Sequence, residues 1–146
     1  MIRYATAADI PMLVMVLHKF VQAPPYNTRV FDADFISARL TAILEVYEFD
    51  LVINEVDGEW LGVACASQQP TFLCPEWEYH EHFVVALHPS ATRSLVKWLV
   101  KRGEERRCFR TVIGSTTMNE RYECLVQVAG GLKPYGKTFV KEYYDA

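Results

Sequence analysis

"HPSATRSLVKWLV", residues 88–100, is the stretch on which the fold turns. The apolar run "FVVAL" (83–87) before it reads as the end of a strand, and Leu95, Trp98 and Leu99 after it share one face of a helix expected at about Thr92–Arg106. "FRTVIGS" (109–115) then supplies a second strand, so the segment is a β-α-β unit whose two strands run parallel. A loop that opens a helix in this way suits a phosphate, because first-turn N–H groups lack partners and glycines let the backbone close on an anion. This loop contains no glycine.

Working outward, "MIRYA" (1–5) is a short strand, and Thr6 caps a helix in which Ile10, Leu13, Leu17 and Phe20 recur at helical spacing. Pro24 and Pro25 stop it. A second helix is expected over 34–47, with Ile36, Leu40, Ile43, Leu44 and Tyr47 as one stripe. "LVINEV" (51–56), the turn Asp57-Gly58 and "EWLGVACASQ" (59–68) form a hairpin, and "EYHEHFVVAL" (78–87) is the next strand. A last helix is expected over 119–129, its Tyr122, Leu125, Val126 and Ala129 facing inward. Gly130-Gly131 ends it, and "LKPYGKTFVKEYY" (132–144) closes the chain as a hairpin or bent strand. The order β-α-α-β-β-β-α-β-α-β(β) predicts an α/β (α+β) protein with a mixed sheet and helices on both faces.

The chain has 146 residues, 51% of them hydrophobic and 23% charged, the balance of one soluble globular domain spanning residues 1–146. No apolar run is long enough to cross a bilayer, and the first residues do not read as a secretory signal. Cys65, Cys74, Cys108 and Cys124 lack zinc-ligand spacing and read as free thiols of a cytoplasmic protein. The net charge of −3 offers no general attraction to nucleic acid or to a membrane surface.

Four stretches carry a resemblance to a known family: "IRYATAADIPMLV" (2–14), "VDGEWLGVACAS" (56–67), "VVALHP" (84–89) and "STTMNERYECLVQVAGGLKPYGKTFVKEY" (115–143). In this order they resemble the GNAT acyl-CoA N-acyltransferases, with Gly131-Leu132 in place of the family's glycine-phenylalanine pair. The narrower likeness is to the small GNAT-like proteins encoded by tailed phages. The resemblance covers almost the whole chain and implies acetyl-CoA as cosubstrate and an amine as acceptor.

It also implies where the chemistry lies. Cofactor contacts fall at Val85 and Leu87 on the strand exit, at Ser90, Ala91, Thr92, Arg93 and Ser94 in the loop, and at Asn119. The loop departs from the family pattern: it is about two residues short and lacks both glycines. Strict alternation puts Glu78, His80, His82, Val84 and Ala86 on one face of the strand and Trp77, Tyr79, Glu81, Phe83 and Val85 on the other. His82 falls near the family's base, where a glutamate or a water often serves, and reads either as that base or as a hydrogen-bonded structural histidine. His80 and His82 lack a third metal ligand. The family's acid tyrosine would stand near Leu125–Val126. Tyr122, one turn earlier, is a substitute acid or a core residue, and Cys124 reads as a buried small residue or a nucleophile. Lys97, Lys101, Arg102, Arg106, Arg107 and Arg110 form either a patch for the CoA 3′-phosphate or a solvated helix face.

Two functions therefore stay open. One is an N-acetyltransferase. The other is a non-catalytic GNAT-like protein, a virion component or protein-binding module, possible as a homo-oligomer. Tyr26, Phe31, Phe72, Trp77, Tyr143 and Tyr144 would supply its interface. A phage origin would place either in the host cytoplasm or the virion.

Overall fold

A computed structural model of the chain describes residues 1–24, 27, 30–114, 120–136, 141 and 143. The elements run β1 (Ile2–Tyr4), a 3₁₀ turn (Ala7–Asp9), α1 (Ile10–Val21), α2 (Ala33–Ile43), β2 (Phe49–Val56), β3 (Glu59–Pro70), β4 (Trp77–Ala86), α3 (Ala91–Glu105), β5 (Arg110–Val112) and α4 (Glu120–Gly130). The strands form one sheet in the order β1-β2-β3-β4-β5, antiparallel except for the parallel β4–β5 pair. Of the final hairpin expected over 132–144, residues 132–136 form no strand and 137–140, 142 and 144 lie outside the described residues, as do Asn119 and Tyr26.

Helices cover both faces. Ile10, Leu13, Val16 and Leu17 of α1 and Leu40 of α2 pack on Leu51, Ile53, Val63, Cys65 and Val85. On the opposite face Ala91, Leu95 and Leu99 of α3 pack on Val52, Ala64, Ala66 and Tyr79, and α4 lies against α3. Burying each large aliphatic side chain of these layers contributes about 1.5–3 kcal/mol. Asp57 and Gly58 both take positive φ in the β2–β3 turn, and Gly131, at φ +68°, ends α4 by donating its N–H to Gln127 O. Gly62 has a tighter task. A Cβ there would sit 2.8 Å from Val85 O and 2.9 Å from Ala91 Cβ, so its absence lets the first residue of α3 rest on β3.

Three expectations change. Helix α2 ends at Ile43 rather than Tyr47, because Glu45 and Val46 donate to Ala42 and Ile43 in i→i−3 bonds that tighten the end into turns. The parallel partners of Arg110–Val112 are Glu78–His80, not Val84–Leu87. Alternation along β4 fails at His82: Cys65 pairs with Phe83 and Ala66 with Glu81, which leaves His82 as the extra residue of a β-bulge. Phe83 and Val85 therefore join His82 on the α1/α2 face, while Val84 shares the α3 face with Tyr79.

Candidate functional site

Beyond the His80–Val112 pair, β4 runs on to Ala86 with no β5 residue beside it among the described residues. Among the described residues nothing pairs with that edge of β4 over this stretch. The N–H groups of Leu87 and His88 both donate to Leu61 O at 2.9 Å, so Leu87, and with it Val85 opposite Val63, turns its main chain toward β3. The edge away from β3 is thus carried by Val84 and Ala86, one residue out of step with the expected Val85 and Leu87.

Glu81 and the bulge residue His82 are the ionisable groups where β4 passes beyond β5, and they leave the strand on opposite faces, Glu81 with Ala66 on the α3 face and His82 against Phe49 on the α1/α2 face. The His82 ring is exposed, stacks on Phe49 (centroids 5.4 Å apart, 17° between planes) and holds its Nε2 2.6 Å from Ser67 Oγ. Burial of part of the ring, followed by the nearby His80 and Arg39, keeps it below the ordinary imidazole range, so it is neutral at pH 7. Glu81 is half-buried and accepts the Gly114 N–H at 3.1 Å. Burial pushes its carboxyl up, against the opposing pull of that N–H. Glu81 was not among the residues singled out from the sequence, although the family's strand-four glutamate was the signal for it. His80 turns instead to Glu78, which also pairs with Arg110, and among the described residues no three His, Cys, Asp or Glu side chains converge as for a metal.

The glycine-free turn closes in its own way. No residue from 88 to 94 has a positive φ, so the Cβ atoms meet no left-handed strain. His88 replaces the missing glycines as organiser: its Nδ1 accepts the Ser90 N–H at 3.2 Å and lies 2.8 Å from Ser90 Oγ, and its carbonyl takes the Ala91 N–H at 3.0 Å. Four N–H groups at the start of α3, those of Ser90, Ala91, Thr92 and Arg93, have no intrahelical acceptor. His88 occupies the first two, and those of Thr92 and Arg93 have no acceptor among the described residues. Ala91 itself is buried against Gly62 and presents no side chain outward, whereas Arg93 and Ser94 are exposed. The Arg93 side chain opens onto a groove of about 620 Å³ whose far wall is α4, from Glu120 and Arg121 through Cys124 and Leu125 to Val128 and Ala129.

Other expected participants are placed elsewhere. Tyr122 is half-buried on α4 and is not among the groove-lining residues, and Cys124 is exposed rather than buried. The basic residues on and after α3 divide: Lys97, Lys101 and Arg107 are exposed, whereas Arg102, Arg106 and Arg110 are tied to carboxylates. Arg106 donates from Nε and one terminal nitrogen to buried Asp50 (2.8 and 3.0 Å), Arg102 adds a contact at 3.2 Å, Arg110 pairs with Glu78, and Lys101 reaches Glu105. Tyr79 donates its hydroxyl to the same Asp50 at 2.7 Å. Burial pushes the Asp50 carboxyl up, but bonds from Arg106, Tyr79 and Arg102 more than reverse this and hold it below the usual range. Of the expected interface aromatics, Phe72 is fully exposed and Phe31 packs against the α1/α2 core. No described helix is long and apolar enough to cross a membrane.

No protein-family model matches the sequence, and no curated protein does. Solved structures do match. A glucosamine-6-phosphate N-acetyltransferase from Arabidopsis thaliana is 12% identical, with a TM-score of 0.75 over 99% of this chain and 98% of that one. A Trypanosoma brucei acetyltransferase is 16% identical, with a TM-score of 0.73 over 98% and 99% of the two chains. A ribosomal-protein-alanine N-acetyltransferase from Brucella melitensis is 21% identical, with a TM-score of 0.73 over 89% and 83%. At these identities the likeness is one of fold. The mixed sheet and the helices on both faces make this a chain with the GNAT fold.

Proposed function

We propose that the protein is an N-acetyltransferase that moves an acetyl group from acetyl-CoA to an amine. The observation that carries the proposal is the stretch of β4 beyond His80 that no described residue of β5 pairs with, at the start of which stand Glu81 and His82. The residues present fit an acyl-CoA. An amide-bearing arm can pair with the edge of Val84 and Ala86, and the N–H groups of Thr92 and Arg93, with the Arg93 guanidinium, suit a pyrophosphate at a helix N-terminus. They offer fewer amides than a glycine-lined loop, since His88 takes two of the four.

When bound, acetyl-CoA supplies an activated thioester, and the chain supplies position and proton traffic. An amine attacks only as its neutral form, so a group near the acyl carbon has to take its proton. Glu81 and His82 are the two acceptors on this stretch of β4, the first strengthened as a base by burial. Tyr122 on α4 is the proposed proton source for the leaving sulfur. Mass spectrometry of a panel of amines incubated with protein and acetyl-CoA tests the proposal. Acetylated product that Glu81→Gln abolishes supports it. No product from any amine, together with no heat on titrating millimolar CoA, sinks it.

A further inference from the structure

Ser67 is buried on β3, and its hydroxyl stands between two side chains. The Gln69 amide nitrogen lies 3.1 Å from Ser67 Oγ, and His82 Nε2 lies 2.6 Å from the same oxygen. The first distance is that of an N–H···O bond. The second is a short hydrogen bond that either the serine O–H or a ring N–H can make, according to the tautomer. The Ser67 oxygen can accept from Gln69 and still give its own proton to His82 Nε2. In that arrangement Nε2 is the acceptor and the proton of the neutral ring sits on Nδ1, for which no partner stands among the described residues. His80 on β4 and Arg39 on α2 are the charged or titratable groups that influence the ring.

We propose that Ser67, backed by Gln69, locks His82 in its Nδ1–H form, so that the imidazole enters the reaction as a hydrogen-bond donor to the acyl oxygen and not as the acceptor of the amine proton. The catalytic half of this rests on the acetyltransferase reading; the position of the proton does not. In the transfer, the amine nitrogen bonds to the acyl carbon and the C–S bond breaks with its electron pair going to sulfur. The amine proton passes to the Glu81 carboxylate, and His82 Nδ1–H holds the oxygen while negative charge builds on it. Ser67 and Gln69 are positioning residues in this scheme.

Nitrogen-15 NMR of the wild-type protein, with the His82 signals assigned by their loss in His82→Asn, reads the proton directly. Above the ring's pKa, Nδ1 is expected to be protonated and Nε2 bare, and Ser67→Ala is expected to mix the two forms. A protonated Nε2 in the wild type overturns the proposal. Kinetics separate donor from base. His82→Asn keeps an N–H near the Nδ1 position and is expected within about tenfold of wild-type kcat, whereas His82→Ala loses about 10²–10³, the usual loss of one oxyanion donor. Activity is expected to persist as the pH falls through the His82 pKa found by NMR, because imidazolium still carries Nδ1–H. Equal loss in the Asn and Ala variants, or a rate that falls with that pKa, makes His82 the base and refutes the donor role. A protein that acetylates nothing defeats the transferase reading alone and leaves the NMR result to decide the proton.

Discussion

On the sheet face beneath α3, Asp50 is 2% exposed and takes bonds from Tyr79, Arg102 and Arg106, while Arg106 also donates from Nη1 to Gln68 Oε1 and from Nη2 to Tyr47 O. On the opposite face, at nearly the same level of β4, His82 is exposed and, among the described residues, bonds through Nε2 to Ser67. Both clusters are polar, and both draw on β4. They differ in what is left over. The Asp50 cluster closes on itself, as buried charge has to if it is to persist in the interior. The His82 cluster keeps one ring nitrogen in reserve. Charge that is fully satisfied specifies structure, and a polar group with an unused valence is where chemistry can start.

This contrast can be broken by experiment, beginning where the effect is largest. Asp50→Ala leaves two arginines without their buried partner and is expected to cost about 3–5 kcal/mol, read as a shift in the urea midpoint at unchanged slope. CoA affinity should not follow. A loss under about 1 kcal/mol would make the cluster a surface-like ion pair. His82→Ala should do the reverse, lowering kcat by about 10²–10³ while the melting temperature stays within a few degrees. Rates and stability falling together would mark His82 as structural.

Acid sharpens the same contrast. The folded-state pKa of Asp50 and that of His82 are both depressed, so in each case the unfolded chain binds protons first. Both contributions are complete at pH 7. The one from His82 is lost as pH falls below about 6.5, and the one from Asp50 only below about 3.8. Melting temperatures across pH 7 to 3 should show two descents, with Asp50→Asn making the lower one shallower and leaving the part that Asp9 and Glu78, also held below their usual range, contribute. The smallest effect belongs to Arg93. Arg93→Ala is expected to weaken CoA binding about tenfold, near 1.4 kcal/mol, with no change in stability, by isothermal titration.

The sequence made the frame legible because each part of it is local. The spacing of Ile10, Leu13 and Leu17, the Asp57-Gly58 turn and the β-α-β crossover at 83–115 are decided within a few residues, and the sheet and both helical layers followed from them. The bulge was not legible. "WEYHEHFVVA" alternates without interruption, and only pairing with β3 shows that His82 has no opposite number. The roles of Arg102 and Arg106 were hidden for another reason: their partner Asp50 is distant in sequence, and a basic helix face looks the same whether or not a carboxylate lies beneath it. At the turn, attention to the missing glycines hid His88, whose side chain does locally what glycine would have done by conformation.

The separation of Asp50 from Arg106, 56 residues along the chain, has a kinetic meaning. Neither partner gains anything until β2 has paired, β4 has been laid beside β3 and α3 has swung back over the sheet, so the loop entropy is spent before this bond forms. The cluster belongs to the late side of the folding barrier. Removing it is expected to leave the folding limb of a chevron almost unmoved and to raise the unfolding limb by nearly the whole loss, a φ-value near zero for Asp50→Ala. The buried charges then act as a clasp fastened last, governing how long the native state lives and having little say in how quickly it is found.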